Sequence, residues 1–341
     1  QWVFQIANRF TPQNATVATR VRMMKLTIIL FDLGVMLLLY ALLRLLSMNV
    51  GWCIAYGWSP LVIKEFANSG HLDAIAVFLV IASIVCLTIA WKGEQRKWRP
   101  VFVTASSVLL GLGVGAKLYP IVLFPLVSVF VYRKFGRLLG ITWPVVACLG
   151  AAMTLAPMFA DTSARSSAIA GGPTDQLQGL KTFLSRWEMN ALLFMVIEEN
   201  VRPEGSVAGQ SQLWFAITPN AWRTSLTRPA ALMFGGDIER TPFMLTRLIT
   251  TIAFGVIVAT MCVMTWRDPN RFYEAAFLTL AWFWFLSPTQ NPWYWTWSLP
   301  LVPFARSHAW LVVSGLTLIY YARFWFEYHA GTTEPWGLSY Q

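Results

Sequence analysis

The chain has 341 residues, of which 56% are hydrophobic and only 12% charged, and its mean hydropathy is +0.53. An average soluble domain carries about a quarter charged residues, so this composition excludes a soluble single-domain protein, a disordered chain and a nucleic-acid reader. The formal charge of +10 reads as Lys and Arg collected in the cytoplasmic loops of a multi-pass membrane protein, not as a nucleic-acid footprint.

A membrane-spanning helix needs about 20 apolar residues. In chain order, apolar runs cover 26–46, 50–63, 71–91, 101–115, 118–132, 139–159, 246–265, 272–287, 293–305 and 308–323. The fold class they predict is all-α: a polytopic helix bundle of about ten spans, some short or broken. They divide the chain into an N-terminal transmembrane module (1–159), an outer loop (160–245) and a C-terminal transmembrane module (246–341). Residues 101–132 would make one helix of about 48 Å, too long for a hydrocarbon core of about 30 Å. Both flanks are basic, and Pro120 breaks the helical ladder, so a hairpin with its tip at Gly115–Pro120 is expected. Inside the outer loop, Leu177 to Ile197 reads as an amphipathic helix lying on the membrane surface.

Three short basic stretches set the orientation. Lys92, Arg96, Lys97 and Arg99 follow one span, Arg133, Lys134 and Arg137 another, and Arg267 and Arg271 a third. Placing all three in the cytoplasm puts Gly70-His71-Leu72-Asp73, Lys117 and Asn291 on the outer side. Arg20, Arg22 and Lys25 then also lie outside, which runs against the rule. Cys53, Cys86, Cys148 and Cys262 each sit in an apolar run and read as small core residues, not as a disulfide framework or metal cluster.

Chemistry-bearing residues fall in three places. Lys64, Glu65, His71 and Asp73 put four titratable groups within ten residues at one membrane face, where ionisable groups are costly. Asp73 also suits the first turn of a helix, where the dipole favours an anion. His71 and Asp73 are two residues apart and so do not share a helical face. Lys117 sits at the hairpin tip beside Tyr119. It is either a snorkelling cation or the partner of a lipid-linked phosphate. Ser287–Pro300 places Asn291 and Tyr294 in a turn bracketed by prolines and rich in Trp, either an interfacial belt or a broken helix lining a cavity, where aromatic faces and amides would suit a sugar ring. Phe183, Trp187 and Asn190 follow helical spacing on the surface helix, for which packing onto the membrane is the plainer account. Asp32 and Arg44, about 18 Å apart along one helix, are too far apart to pair, so Asp32 should bond a neighbouring helix. There is no Walker loop, HExxH, GxSxG or CxxC pair. With three histidines, the composition also argues against a histidine-built metal site.

The order of these elements resembles the GT-C superfamily of polytopic glycosyltransferases, nearest the family-87 type and more distantly the mannosyltransferase of GPI-anchor assembly. The resemblance runs through Phe31-Asp32-Leu33, Trp58-Ser59-Pro60-Leu61, Gly70-His71-Leu72-Asp73, Lys117-Leu118-Tyr119-Pro120, Phe183 to Asn190 and Ser287 to Pro300, and so covers nearly the whole chain. It implies an integral plasma-membrane (inner-membrane) enzyme with an outward-facing site. Such an enzyme moves a sugar, a hexose such as mannose, from a polyprenyl-phosphate donor to a lipid or glycan acceptor, with inversion and with a carboxylate as the base that activates the acceptor hydroxyl. The donor is a substrate and no cofactor is implied; divalent-metal dependence stays open. Lys117 resembles the cation that meets the lipid phosphate. The resemblance implies that Asp73 and His71 remain as candidates for catalysis. Lys64, Glu65, Tyr119, Trp187, Asn190, Asn291 and Tyr294 join Lys117 in substrate binding. The family's usual catalytic Asp sits in the first outer loop, and the chain, starting at Gln1, reads as a fragment lacking its first span and that loop. Asn291 departs from the His that often precedes Pro-Trp-Tyr in similar sequences. A transporter or lipid-carrier flippase is the alternative, since broken helices and buried charges mark those proteins too.

Overall fold

The computed structural model describes residues 2–94, 96–159, 187–206 and 213–330. It is 79% helical with no strand among the described residues, which places the chain in the all-α class. The chain forms two compact units, Gln1–Pro157 with Cys262–Leu280 and Pro292–Gln341, and Met158–Met261 with Ala281–Asn291. The expected 1–159 module therefore shares a unit with much of 246–341, and 160–245 falls in the other.

The first unit opens with α1 (Trp2–Arg9) and α2 (Val17–Leu45), the latter capped by Thr16, whose hydroxyl accepts from the Thr19 amide. The chain then turns back through α3 (Cys53–Gly57), α4 (Pro60–Val62) and a π-helical turn, Ile63–Ser69, before α5 (Asp73–Lys92) begins. α2 and α5 run side by side in the same direction. Lys25 Nζ donates to the Asn68 carbonyl next to the start of α5, and further along Phe31 meets Phe78 edge-on at 5.3 Å. Residues 46–69 must therefore climb back over most of the length of α5, about 30 Å. They do so as short helices because Pro60 starts a new turn and Gly70, at φ 74°, ends the π-helix in a left-handed conformation that glycine adopts without strain.

α6 (Arg99–Ala116) returns antiparallel to α5, with Ser83 Oγ 2.8 Å from Ser106 Oγ halfway and Lys117 beside Asp73 at the end. Lys117 is extended, Tyr119–Leu123 form a 3₁₀ turn, and α7 (Phe124–Phe135) runs back until Phe130 packs on Trp91 at 5.6 Å. This is the hairpin expected over 101–132, with Lys117 at its tip. α8 (Arg137–Phe159) crosses α6 at two glycines. A Cβ on Gly111 would sit 2.4 Å from the Ala147 carbonyl oxygen, and one on Gly115 would sit 1.9 Å from Thr154 Oγ1. Small residues let the backbones approach, and Trp143 Nε1 donates to Ser106 Oγ across the same interface. Gly111→Val is expected to force the helices apart and lower stability by roughly 1–3 kcal/mol. Thermal unfolding of the protein in detergent reads this, and an unchanged midpoint would remove the close crossing.

The remaining helices are α9 (Leu192–Glu199), α10 (Asn220–Met233), α11 (Thr241–Arg267), α12 (Phe272–Leu286), α13 (Pro292–Trp295), α14 (Ala309–Leu316) and α15 (Ala322–Ala330). Among the described residues, six helical stretches are long and apolar enough to cross a membrane: Val17–Leu45, Asp73–Lys92, Arg96–Ala116, Arg137–Ala156, Thr241–Arg267 and Ala309–Phe326. Each coincides with one of the ten apolar runs. The other four runs form helices too short to be counted as spans, because Pro60, Pro120, Pro125, Pro292 and Pro300 interrupt three of them and the fourth, α12, has 15 residues. Only α5 is mostly enclosed, at 72%, and large apolar side chains such as Leu37, Leu138 and Met153 point outward from its neighbours. In water that surface would drive aggregation; it fits a membrane protein.

The basic loops gather at one end of the first unit. Lys92 and Lys134 both lie over the Trp91 ring, at 4.2 and 4.3 Å, and Arg133 Nε donates to the Trp266 carbonyl. The opposite end, the length of α5 away, holds Asp73, Lys117 and Lys25. All four cysteines are free, in line with the expectation that they form no disulfide framework, but they are not core residues: Cys148 is exposed and the others are half-buried, because their helices turn those faces outward.

Candidate functional site

The site assembles in the first unit at the start of α5. Asp73 occupies the first turn of that helix, but its side chain does not cap it. Instead Oδ1 accepts from Trp297 Nε1 at 2.6 Å, and Oδ2 lies 3.2 Å from Lys117 Nζ. The carboxylate is 1% exposed and the lysine 34%. A carboxylate taken this far out of water persists only when its oxygens are bonded and its charge is matched, and here both conditions hold. Lys117 faces outward from that anchor and lies 4.9 Å from the centre of the Tyr294 ring and 6.0 Å from that of Trp297.

Those rings belong to one continuous aromatic wall. Tyr119 stacks on Trp297 with centres 4.1 Å apart and planes parallel, and Trp297 stacks on Tyr294 at 4.3 Å. Trp293 meets Tyr294 edge-on at 5.8 Å and stacks on His71 at 4.8 Å. The proline-rich sequence creates this wall. Pro292 starts the four-residue helix α13, and a second interruption before Pro300 leaves Trp293, Tyr294 and Trp297 presented from a short helix and its following turn. Tyr119 is buried, and its hydroxyl has no hydrogen-bond partner among the described residues.

A second polar centre adjoins the wall. Glu65, 1% exposed, lies in the π-helical turn. Its Oε2 is 3.0 Å from His71 Nε2, its Oε1 accepts from the Tyr321 hydroxyl, and Lys64 Nζ is 3.5 Å from Oε1. Burial alone would raise the Glu65 pKa, but the hydrogen bonds from His71 and Tyr321 and the Lys64 charge outweigh it and hold the carboxyl below the usual range. The backbone builds this pair: the left-handed Gly70 lets the His71 amide bond the Glu65 carbonyl at 2.9 Å, a helix-ending closure that folds His71 back over the turn. His71 and Asp73 are not bonded to each other; each has its own partner. Lys64 also donates to Ser69 Oγ at 2.8 Å and lies over the Tyr321 ring.

The structure thus brings together Lys64, Glu65, His71, Asp73, Lys117, Tyr119 and Tyr294 in one unit. Trp293, Trp297 and Tyr321 complete the group. The two tryptophans lie in the proline-bracketed stretch, whereas nothing in the sequence around Tyr321 singles it out. Asp32 accepts from the Tyr56 hydroxyl at 2.6 Å, the bond to a neighbouring element expected of it.

Trp187, Asn190 and Asn291 belong to the second unit. The expected surface helix over 177–197 differs there. Residues 177–186, and Phe183 with them, lie outside the described residues, while 187–191 are not helical and α9 begins at Leu192. The reason is a strand-like pairing: Met189 N donates to the Pro288 carbonyl at 2.9 Å, Gln290 N donates to the Met189 carbonyl at 2.8 Å, and Asn190 turns left-handed at φ 55°. Trp187 and Asn190 therefore do not share a helical face. Asn291 is 2% exposed; its carbonyl accepts from Trp284 Nε1, and its side-chain oxygen has no partner among the described residues. Behind α9, Glu198 bonds Arg202, and the buried Arg223 bonds the Arg202 carbonyl and Glu204.

Chemically, the site offers an anchored cation, a wall of ring faces, and an imidazole backed by a buried carboxylate. Among the described residues, no three His, Cys, Asp or Glu side chains gather as metal ligands. No protein-family model, curated protein or solved structure matches the chain.

Proposed function

We propose that the protein is an integral membrane glycosyltransferase of GT-C-like architecture. It moves a sugar, a hexose such as mannose, from a polyprenyl-phosphate donor to a lipid or glycan acceptor, inverting the sugar configuration. In this reading the four short or broken segments join the six long helices to give about ten passes. The basic end of the first unit is cytoplasmic, and the Asp73–Lys117 end faces outward across the plasma membrane.

One observation carries the reading: Lys117, fixed by the buried Asp73 and flanked by the faces of Tyr294 and Trp297, stands at the end of the spanning helices opposite the basic loops. A polyprenyl-phosphate sugar has an anionic group at the membrane edge, an apolar tail in the bilayer and a sugar ring outside it. An anchored cation meets the first part, outward apolar helix faces the second and stacked aromatic rings the third. The cation also matters for rate, because charge develops on the lipid phosphate as it leaves.

The test is transfer from a panel of radiolabelled polyprenyl-phosphate sugars to membrane lipids by the full-length chain in lipid nanodiscs. Label appearing in a new acceptor is the expected result; label that never leaves its carrier sinks the reading. Asp73→Asn removes the counter-charge of Lys117 while keeping the shape. It is expected to weaken donor use by about tenfold to a hundredfold, since a hydrogen bond to a charged group contributes ~1.5–3 kcal/mol. Unchanged donor binding and turnover would take Asp73 out of the site.

A second reading, a transporter or lipid-carrier flippase, draws on the broken return of residues 46–69, since interrupted helices frame transport sites. Movement of the labelled lipid across a vesicle bilayer without cleavage would favour it.

A further inference from the structure

Resting on the transferase reading, we infer that His71 is the catalytic base that deprotonates the acceptor hydroxyl, that Glu65 is its positioning residue, and that Asp73 does not take the proton. Sequence alone leaves Asp73 and His71 side by side as candidates. The geometry separates them. Asp73 has both oxygens committed, one to Trp297 and one to Lys117, and is 1% exposed. A base must come within hydrogen-bond reach of the proton it abstracts; at 1% exposure, with its oxygens turned to Trp297 and Lys117, Asp73 is closed to an incoming hydroxyl, and a proton on it would cancel the charge that anchors Lys117.

His71 has the opposite disposition. Its Nε2 faces the Glu65 carboxylate at 3.0 Å, so Nε2 carries the hydrogen and Nδ1 carries the lone pair. No hydrogen bond engages Nδ1 among the described residues, and the side chain is 32% exposed. Glu65 is itself over-determined by Tyr321 and Lys64, and stacking on Trp293 fixes the ring plane. A buried carboxylate behind an imidazole selects the tautomer and stabilises the imidazolium that forms when the ring accepts a proton. The same aromatic wall that reaches Lys117 ends on His71, so an acceptor beside His71 and a donor phosphate beside Lys117 share one surface.

The step balances as a single displacement. The acceptor oxygen forms the bond to the anomeric carbon as its proton passes to His71 Nδ1. The bond from the anomeric carbon to the phosphate oxygen breaks, and its electron pair leaves with the lipid phosphate, whose added charge faces Lys117. The imidazolium, paired with Glu65, then releases its proton to water.

The test uses the full-length chain in nanodiscs with two readouts. In ¹⁵N-histidine spectra, the His71 signal is the one lost in His71→Gln. With the ring neutral, the expected tautomer carries hydrogen on Nε2 and none on Nδ1, and Glu65→Gln weakens that preference. A wild-type ring protonated at Nδ1 overturns the proposal whatever the activity. In the transfer assay, His71→Gln is expected to lower kcat on the order of 10²–10⁴-fold with donor KM held. Glu65→Gln should lower kcat without raising donor KM, whereas Asp73→Asn acts on the donor side. Undiminished kcat in His71→Gln overturns the base assignment while leaving the transferase reading standing. A wild-type chain that shows the expected tautomer but transfers no sugar from any donor overturns the transferase reading, and this role with it.

Discussion

Lys117→Ala is expected to lower sugar transfer by about 10²–10³-fold, the usual effect of removing one preorganised donor from a developing negative charge, while the protein still inserts in the membrane. Two physical effects combine. The leaving phosphate loses its cation, and Asp73 becomes a buried carboxylate held only by Trp297. Leaving a buried charge without its partner typically destabilises a protein by about 3–5 kcal/mol, so the single variant confounds rate with folding. The double variant Lys117→Met with Asp73→Asn removes both charges and restores a neutral interior. It should recover the thermal midpoint and still fail to transfer. Transfer by the double variant at the wild-type rate would show that Lys117 has no part in the reaction.

Trp297→Ala is expected to be strongly destabilising, by about 3–5 kcal/mol for the truncation of a large buried aromatic. Its ring is sandwiched between Tyr119 and Tyr294, and its indole N–H is one of the two bonds that hold Asp73. Trp297→Phe separates these contributions. It keeps an aromatic face between the two tyrosines but leaves Asp73 Oδ1 unbonded, which costs about 1–3 kcal/mol for a buried acceptor and more for a charged one. The expected order of thermal midpoints is wild type, then Trp297→Phe, then Trp297→Ala. Equal midpoints for the first two would mean that the indole N–H does not matter to Asp73.

Much of the architecture is legible along the chain because it depends on local composition. A run of apolar residues makes a helix that is satisfied internally wherever it sits, so six of the ten apolar runs coincide with long helices. Proline interrupts a helix by removing a donor and clashing one turn back, so the breaks at Pro60, Pro120 and Pro292 are local facts too, as is the hairpin tip at Lys117. Local pattern misled at 187–190, where Trp187 and Asn190 have helical spacing but a pairing with residues 288–290, distant in sequence, overrides it. It also misled at the cysteines, since an apolar run in a membrane-type helix does not say which face turns inward.

What the sequence by itself determined is therefore the helical class, the long spans, the breaks, and which stretches concentrate charge and aromatic rings. What only the tertiary structure decided is who pairs with whom. Lys117 meets Asp73 across 44 residues, Trp297 reaches Asp73 across 224, and Tyr321 reaches Glu65 across 256. No periodicity encodes such pairs, because each requires helices far apart in the chain to end at the same level. Those pairings distinguish two acids that look alike in sequence: Asp73 is spent on anchoring a cation, and Glu65 on orienting a histidine whose other ring nitrogen has no partner among the described residues.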